Sequence, residues 1–299
     1  MSAPATLLME DVSDTARWVA FHRALESERP DALFVDPFAR RLAGERGRRI
    51  AEAMPTVAGA HPGLRGIASP LAVRTKTFDE MILDNVQSIG ADAVLNLAAG
   101  LDARPYRLPL PSSLVWIEAD RAPILDEKTE VLASAKPACI VERVAVDLAD
   151  DQASARLFER VAGSHPRVVV VTEGLLVYLD EARVASLADG LRARPSMRRW
   201  ILESVSPEGL KLNMRAWGKV LAQANAEWKF AHPDGFDFFR ARGWSPTVRR
   251  PFMVEARRLG RASEVRHAWL VRALSSLSGR FRRRIENLVV YGVMQPSAE

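Results

Sequence analysis

Residues 93–102 read AVLNLAAGLD, an apolar run of five residues followed by a turn of small residues. The run has the length and composition of a buried β-strand. In a doubly wound α/β fold, the turn after the first strand is where a nucleotide approaches the backbone. Glycine permits both this approach and a positive φ, and alanine is the next smallest residue. Ala98 and Gly100 are therefore candidate binding residues, although the same small residues could also form a tight strand–helix turn that binds nothing.

From residue 93 onward, short apolar runs alternate with helical patterns. The runs are AVLNL (93–97), LVWIE (114–118), IVERVAV (140–146), RVVVVT (167–172) and RWILES (199–204), with helical segments at about 121–135, 152–162 and 180–193. This alternation predicts βαβ units and an α/β fold with a parallel sheet covered on both faces. A late run, ENLVVYGVMQP (286–296), predicts an antiparallel strand added to the sheet.

Three of the predicted strands end in acidic residues. Asp120 comes twenty residues after Gly100, where a carboxylate can accept hydrogen bonds from both hydroxyls of a ribose or, alternatively, cap the next helix. Asp147 and Leu148 suit the exocyclic amine and the ring face of a purine, although Asp147 could also cap a helix. Glu173 ends the most apolar strand and needs a partner, either a ligand or one of the many arginines.

Arg74 is the most informative residue before the sheet. On a helix predicted to begin at Pro70 and to reach about residue 87, Arg74 lies three residues after Leu71 and four before Phe78. This spacing places it on the apolar, core-facing stripe. An arginine there requires an anion, either a ligand carboxylate held through two parallel hydrogen bonds or a neighbouring acidic side chain.

The composition is that of a globular protein. The 299 residues are 48% hydrophobic and 26% charged, which excludes wholesale disorder. No apolar run reaches 18 residues, so no membrane-spanning helix is expected, and the N-terminus, MSAPATLLMEDVSD, does not resemble a secretory signal. The single cysteine, Cys139, excludes an internal disulfide framework and a cysteine-based zinc site. We expect a cytoplasmic protein with no bound metal.

The net charge of +5 raises the possibility of nucleic-acid binding. It arises in residues 249–284, which hold eleven arginines and two glutamates. A nonenzymatic nucleic-acid-binding protein is therefore one alternative. The arginines are more typical of a solvated helix face, and we expect no nucleic-acid partner.

Together, the candidate residues describe a ligand with a purine, a ribose diol and an amino-acid end. S-adenosylmethionine has these three parts. A nicotinamide-dependent oxidoreductase is the second alternative. It is disfavoured because the turn lacks the G-x-G-x-x-G pattern, with alanine at position 103 and Pro105 soon after.

The sequence resembles the leucine carboxyl methyltransferase family, and within it the bacterial polyketide O-methyltransferases of the tetracenomycin type. The resemblance covers nearly the whole chain. It is carried by SDTARWVAFHRALESERPDALFVDPFARRLAG (13–44), RTKTFDE (74–80), VLNLAAGLDARPYRL (94–108), WIEADRAPILDEK (116–128), VAVDL (144–148), TEGLLVYLDEARV (172–184) and FFRARGWSP (238–246).

The resemblance implies a class I methyltransferase fold, Rossmann-like, with a seven-stranded, mostly parallel sheet whose last strand is antiparallel. Residues 1–90 would form a helical cap or lid, and residues 91–299 the cofactor-binding domain, with a helical insertion at about 205–245. The acceptor would be a small, polyketide-like molecule methylated on a carboxyl or hydroxyl oxygen.

The resemblance also implies a role for each site residue. Arg74 would bind the methionine carboxylate, Ala98 and Gly100 would line the methionine and ribose, Asp120 would hold the ribose, Asp147 and Leu148 the adenine, and Glu173 the methionine end. Ala98 departs from the glycine usual in the family, so its methyl group could crowd the cofactor. His22, Tyr178 and Glu203 are candidate bases for a hydroxyl acceptor, and none is assigned.

Overall fold

A computed structural model describes residues 9–53, 65–233, 235–264 and 279–298. Its strands are β1 (Ala93–Leu97), β2 (Val115–Asp120), β3 (Ile140–Ala145), β4 (Val168–Thr172), β5 (Met197–Val205), β6 (Trp244–Pro251) and β7 (Val289–Pro296). They form one seven-stranded sheet in the order β3-β2-β1-β4-β5-β7-β6. Strands β1 to β5 are parallel, and β7 is antiparallel to both β5 and β6. The predicted class I methyltransferase sheet is confirmed.

Helices precede the sheet and cover both of its faces. They are α1 (Ser13–Ser27), α2 (Ala39–Ala53), α3 (Arg65–Ser88), α4 (Arg104–Arg107), α5 (Ala122–Val131), α6 (Asp151–Ser164), α7 (Glu181–Arg192), α8 (Pro207–Gln223), α9 (Asp237–Arg240), α10 (Phe252–Arg258) and α11 (Gly279–Glu286), with 3₁₀ turns at Leu176–Tyr178 and Ala262–Glu264. Helix α3 packs on one face through Phe78 and Ile82. Helices α6 and α7 pack on the other through residues such as Phe158 and Leu187.

Two local expectations were wrong. Helix α3 does not begin at Pro70 but five residues earlier, so that Pro70 lies inside the helix. Strand β6 was not anticipated, because its sequence WSPTVRRP carries two prolines and two arginines instead of an apolar run. It pairs with β7 alone at the edge of the sheet, where a strand tolerates proline and charge.

Five of the eleven arginines of residues 249–284 contact carboxylates, whereas the side chains of Arg266, Arg272, Arg280 and Arg282 lie outside the described part of the chain. Among the described residues, Arg250 and Arg258 contact Glu80 and Glu255, and Arg261 lies 2.9 Å from Glu26. Arg257 and Arg284 also form ion pairs, with Glu286 and Glu208 respectively. These pairs show an intramolecular role for the five arginines that form them. No helix in the described ranges is long and apolar enough to cross a bilayer.

Candidate functional site

All seven predicted site residues line one cavity of about 1040 Å³. They are Arg74, Ala98, Gly100, Asp120, Asp147, Leu148 and Glu173. The cavity lies at the carboxyl ends of the parallel strands, where open α/β sheets bind their ligands. Residues separated by up to a hundred positions in the chain thus meet at one edge of the sheet.

The turn after β1 has the backbone geometry of a binding loop. Ala98 has φ +54° and Gly100 has φ +46°, both in the left-handed region. The Gly100 N–H donates to Asp120 Oδ2 over 2.7 Å. A Cβ added at Gly100 would lie 3.2 Å from the Cβ of Ala16 on α1, so the turn also packs tightly against that helix.

Asp120 does not act as a helix cap. Residue Arg121 is the N-cap of α5, and no side chain caps that helix. The two carboxylate oxygens of Asp120 accept one backbone N–H each, from Gly100 and from Arg121 (2.8 Å). A carboxylate has about four acceptor positions. Asp120 therefore fixes the turn and retains capacity for two hydroxyl donors.

Asp147 and Leu148 lie in the loop between β3 and α6 and line the same cavity. The predicted alternative role for Asp147 is wrong, because Asp150 caps α6 by accepting from the N–H groups of Gln152 and Ala153. Asp147 Oδ1 instead accepts from the Ala149 N–H. Arg183 of α7 donates to the Leu148 carbonyl over 2.7 Å and so fixes the loop.

Arg74 faces two carboxylates at the centre of the cavity. Its Nε lies 2.9 Å from Glu173 Oε1, and its Nη1 lies 3.8 Å from Glu203 Oε1. The Nε–H is not aligned for a hydrogen bond, although the atom is buried. The sequence left a ligand or an oppositely charged side chain as the partner of each residue. In the structure Arg74 and Glu173 pair with each other, and both also line the cavity, where a ligand can reach them.

A network of buried ion pairs also contacts Glu173, and it was not predicted from the sequence. Arg104 contacts three carboxylates: Glu173 at 2.7 Å, Asp102 at 2.9 Å and Asp79 at 2.6 Å. Arg107 makes two further hydrogen bonds to Asp79. The signal available in the sequence was the run DARPYR (102–107), whose three charged residues directly follow the small-residue turn.

The structure separates the three candidate bases. His22 is buried against Trp18 and Phe21 and does not line the cavity, and burial lowers the pKa of its imidazole to about 4. Tyr178 and Glu203 both line the cavity. Burial raises the pKa of the Tyr178 phenol, which keeps it protonated. Burial also raises the pKa of Glu203, although the charge of Arg74 opposes this shift.

Apolar side chains close the rest of the cavity. Trp18 of α1 and Trp217 of α8 meet edge to face at 5.7 Å, and Trp228 lies beside them on the wall. The other aromatic residues of the predicted helical insertion do not line the cavity. They belong to the buried core cluster that also contains Trp200 and Phe158: Phe230, Phe236, Phe238, Phe239 and Trp244. Only part of this aromatic region therefore faces a ligand.

Replacing Ala98 with glycine is expected to stabilise the fold by about 0.5–1 kcal/mol, because an alanine at positive φ is strained. Urea unfolding measures the change. The control is Ala99→Gly in the same turn, where no positive φ is present to relieve. That variant should lose stability, since glycine is entropically costly. A loss of stability in both variants would contradict strain at Ala98.

Comparison with known proteins places the chain in a family. The family model for leucine carboxyl methyltransferases matches residues 16–192. A "Putative S-adenosyl-L-methionine-dependent methyltransferase" of Mycobacterium bovis is 36% identical over 211 residues, covering 66% of this chain and 68% of that protein. A relative of the same description from Mycolicibacterium smegmatis is 33% identical over 263 residues, covering 81% and 86%.

Solved structures share the fold at low identity. A DUF574 family protein from Streptomyces avermitilis has a TM-score of 0.58 at 11% identity, covering 95% of this chain and 97% of that one. A "putative methyltransferase" from Thermobifida fusca has a TM-score of 0.59 at 12% identity, covering 98% and 97%. The family match spans more than half of the sequence and includes the turn after β1 and the ends of β2 to β4. The chain belongs to the leucine carboxyl methyltransferase family.

Proposed function

We propose that the protein transfers a methyl group from S-adenosylmethionine to an oxygen atom of a small molecule. The observation that carries the proposal is the order of residues along the sheet edge. Leu148 follows β3, Asp120 ends β2, the Ala98–Gly100 turn follows β1, and Glu173 follows β4. Read along neighbouring strands, this order matches adenine, ribose and methionine in an extended cofactor.

The residues present fit this cofactor chemically. Asp120 retains acceptor positions for the two ribose hydroxyls. The methionine end carries a carboxylate and an ammonium group, which the Arg74 guanidinium and the Glu173 carboxylate complement in charge. Leu148 supplies an apolar surface for the purine ring. These residues would hold the cofactor.

The chain's contribution to catalysis is alignment and exclusion of water. S-adenosylmethionine supplies an electrophilic methyl group on a sulfonium centre, and its displacement requires an attacking oxygen in line. Positioning of this kind supplies a large share of the rate in two-reactant reactions. Helices α1 and α3 line the cavity, so the segment before residue 90 would act as a cap over both reactants.

The family resemblance supports oxygen as the accepting atom and a polyketide-like acceptor. The tryptophan-lined wall is consistent with an apolar, ring-containing molecule. Calorimetry with S-adenosylmethionine, S-adenosylhomocysteine and an oxidised nicotinamide dinucleotide tests the cofactor. Binding of the first two and not the third is expected. Binding of the dinucleotide alone would overturn the proposal.

Replacing Asp120 with alanine is expected to weaken binding of S-adenosylhomocysteine by about 1.5–3 kcal/mol, the usual range for hydrogen bonds to a charged group. The Asp120→Asn variant keeps an oxygen for the Gly100 N–H but loses the acceptor for the Arg121 N–H. It should therefore retain more of the wild-type melting temperature than Asp120→Ala while also losing affinity. Unchanged dissociation constants in both variants would show that Asp120 fixes the turn but does not bind the cofactor.

A further inference from the structure

Resting on the proposed function, we propose that the Tyr291 hydroxyl holds the methyl acceptor by donating a hydrogen bond to the acceptor oxygen that is not methylated. Tyr291 lies on β7 and is not one of the residues proposed to hold the cofactor. The proposal assigns a residue to the acceptor side of the cavity. It also gives the reacting group of the acceptor a second oxygen atom, as a carboxylate has.

The order of strands places Tyr291 beyond the cofactor. The residues proposed to hold the cofactor follow β3, β2, β1 and β4 in that order along the sheet edge. The next two strands are β5 and β7, which contribute Glu203 and Tyr291 to the same cavity. These two residues stand opposite each other in the antiparallel register. Because the methyl group is carried at the methionine end, the acceptor must lie next to that end, on the side of Tyr291.

The ring of Tyr291 is fixed, while its hydroxyl has no partner. Tyr291 is 2% exposed, and its ring meets Phe78 of α3 edge to face, with the ring centroids 5.7 Å apart. Among the residues that the structure describes, no group forms a hydrogen bond with the hydroxyl. The hydroxyl oxygen is not one of the enclosed polar atoms, so it opens to the cavity. Since a buried tyrosine hydroxyl normally has a hydrogen-bond partner, a ligand oxygen would complete the site.

Tyr291 is a hydrogen-bond donor in this site. Burial raises the pKa of its phenol well above the usual range, and the carboxylates of Glu203 and Glu173 add to the shift, which the charge of Arg74 opposes. The hydroxyl therefore keeps its proton near neutral pH. A ligand that uses this hydroxyl must supply an oxygen that accepts.

The surrounding charges are compatible with an anionic acceptor. Glu173 lies between two guanidinium groups, 2.9 Å from Arg74 Nε and 2.7 Å from Arg104 Nη2. Burial raises the pKa of Glu203, which favours the uncharged form of this side chain. The sulfonium of S-adenosylmethionine would add a positive charge beside the acceptor, and this charge attracts an anionic oxygen.

A carboxylate can use the Tyr291 hydroxyl without losing reactivity at the attacking atom. The attacking oxygen must direct a lone pair at the methyl carbon, so a hydrogen bond to that lone pair would oppose the transfer. In a carboxylate, the second oxygen accepts from Tyr291 and thereby fixes the orientation of the first. A phenol or an alcohol has no second oxygen on its reacting group.

Two probes of matched shape test the contact. Calorimetry with S-adenosylhomocysteine and the full chain comes first and tests the proposed function alone. Wild type and Tyr291→Phe should bind this ligand equally. Equilibrium dialysis then measures binding of 2-naphthoate and 2-methylnaphthalene to the loaded protein near pH 7. The two probes share a ring system, and only the naphthoate can accept a hydrogen bond from a hydroxyl.

A tyrosine substitution isolates the hydroxyl. Tyr291→Phe removes one oxygen, so 2-naphthoate should bind about tenfold more weakly, while 2-methylnaphthalene should keep its wild-type affinity. Tyr106→Phe is the matched control, because the Tyr106 hydroxyl accepts from Arg143 over 2.9 Å and does not line the cavity. The control should change the affinity for neither probe.

Fluorine NMR observes the hydroxyl-bearing ring in the unsubstituted chain. The sequence has three tyrosines, so labelling with 3-fluorotyrosine introduces three reporter positions: Tyr106, Tyr178 and Tyr291. The variants Tyr106→Phe and Tyr178→Phe assign the Tyr291 signal by elimination. Adding 2-naphthoate to the loaded protein should shift the Tyr291 signal and leave the Tyr106 signal in place. This measurement decides the matter even if Tyr291→Phe does not fold.

Three results would overturn the inference while leaving the cofactor assignment intact. They are failure of 2-naphthoate to bind the loaded protein, a Tyr291→Phe variant that keeps full affinity for 2-naphthoate or loses affinity for both probes equally, and a Tyr291 fluorine signal that does not respond to 2-naphthoate. Failure of S-adenosylhomocysteine to bind would instead overturn the proposed function.

Discussion

Replacing Arg104 with methionine should lower the free energy of unfolding by about 3–5 kcal/mol near neutral pH. Arg104 is 4% exposed and is the shared partner of Asp79, Asp102 and Glu173. Methionine fills much of the same space but leaves Asp102 without its ion-pair partner, whereas Asp79 keeps Arg107 and Glu173 keeps Arg74. An uncompensated buried charge is among the most destabilising changes a single substitution can make.

The loss of unfolding free energy in Arg104→Met, called the deficit below, should depend on pH in a definite direction. Burial alone would raise the pKa of Asp102, but Arg104 and other cations hold it below its usual range. In the wild type, Asp102 therefore contributes stability at neutral pH that is lost as the pH falls below about 4. Without Arg104, the first of these cations is gone and the pKa of Asp102 rises towards the value that burial favours. Asp102 then takes up its proton at a higher pH in the variant, so the difference in unfolding free energy from wild type should shrink as the pH falls.

Urea unfolding at several pH values measures this deficit. Arg48→Met is the control, because Arg48 pairs with Glu45 and Glu52 on the exposed side of α2. Exposed pairs of this kind contribute about 0–1 kcal/mol. A deficit for Arg104→Met no larger than that of the control would show that the network does not stabilise the fold.

The regions of regular pattern were predictable from the sequence. The buried runs of β1 and β4 leave little choice of structure, and parallel strands necessarily bring their carboxyl ends to one edge. Asp120, Asp147 and Glu173 therefore met at one cavity as expected. Strand β6 was not predicted, because an edge strand needs no apolar pattern and its prolines and arginines are typical of a loop.

Long-range ion pairing was not predictable, because charge carries no periodicity. Arg74 could be placed on the core face of α3, yet nothing local selects Glu173, ninety-nine residues later, as its partner. Arg104 follows the small-residue turn, and its three carboxylates come from three separate segments. Only the folded chain shows that the residues predicted to bind the cofactor also bind one another.

Replacing Arg74 with methionine should weaken binding of S-adenosylmethionine by about 2–5 kcal/mol, the range for loss of one partner of a buried charge pair. The guanidinium lies in the cavity beside Glu173, and its Nε is a buried donor without an aligned partner among the described residues. The cofactor carboxylate would supply an acceptor to this fork. Arg74→Lys keeps the charge but loses the planar guanidinium, so it should retain only part of the affinity for S-adenosylmethionine.

A decarboxylated form of S-adenosylmethionine isolates the contact from general damage. In the wild type, loss of the carboxylate should cost a large part of the affinity. In Arg74→Met, the two cofactor forms should bind almost equally, since the group that distinguishes them is gone. Lys76→Met, on the same helix and paired with Glu80, is the control and should retain the wild-type ratio. If Arg74→Met also retains that ratio and only its melting temperature falls, Arg74 serves the fold through Glu173 and does not bind the cofactor carboxylate.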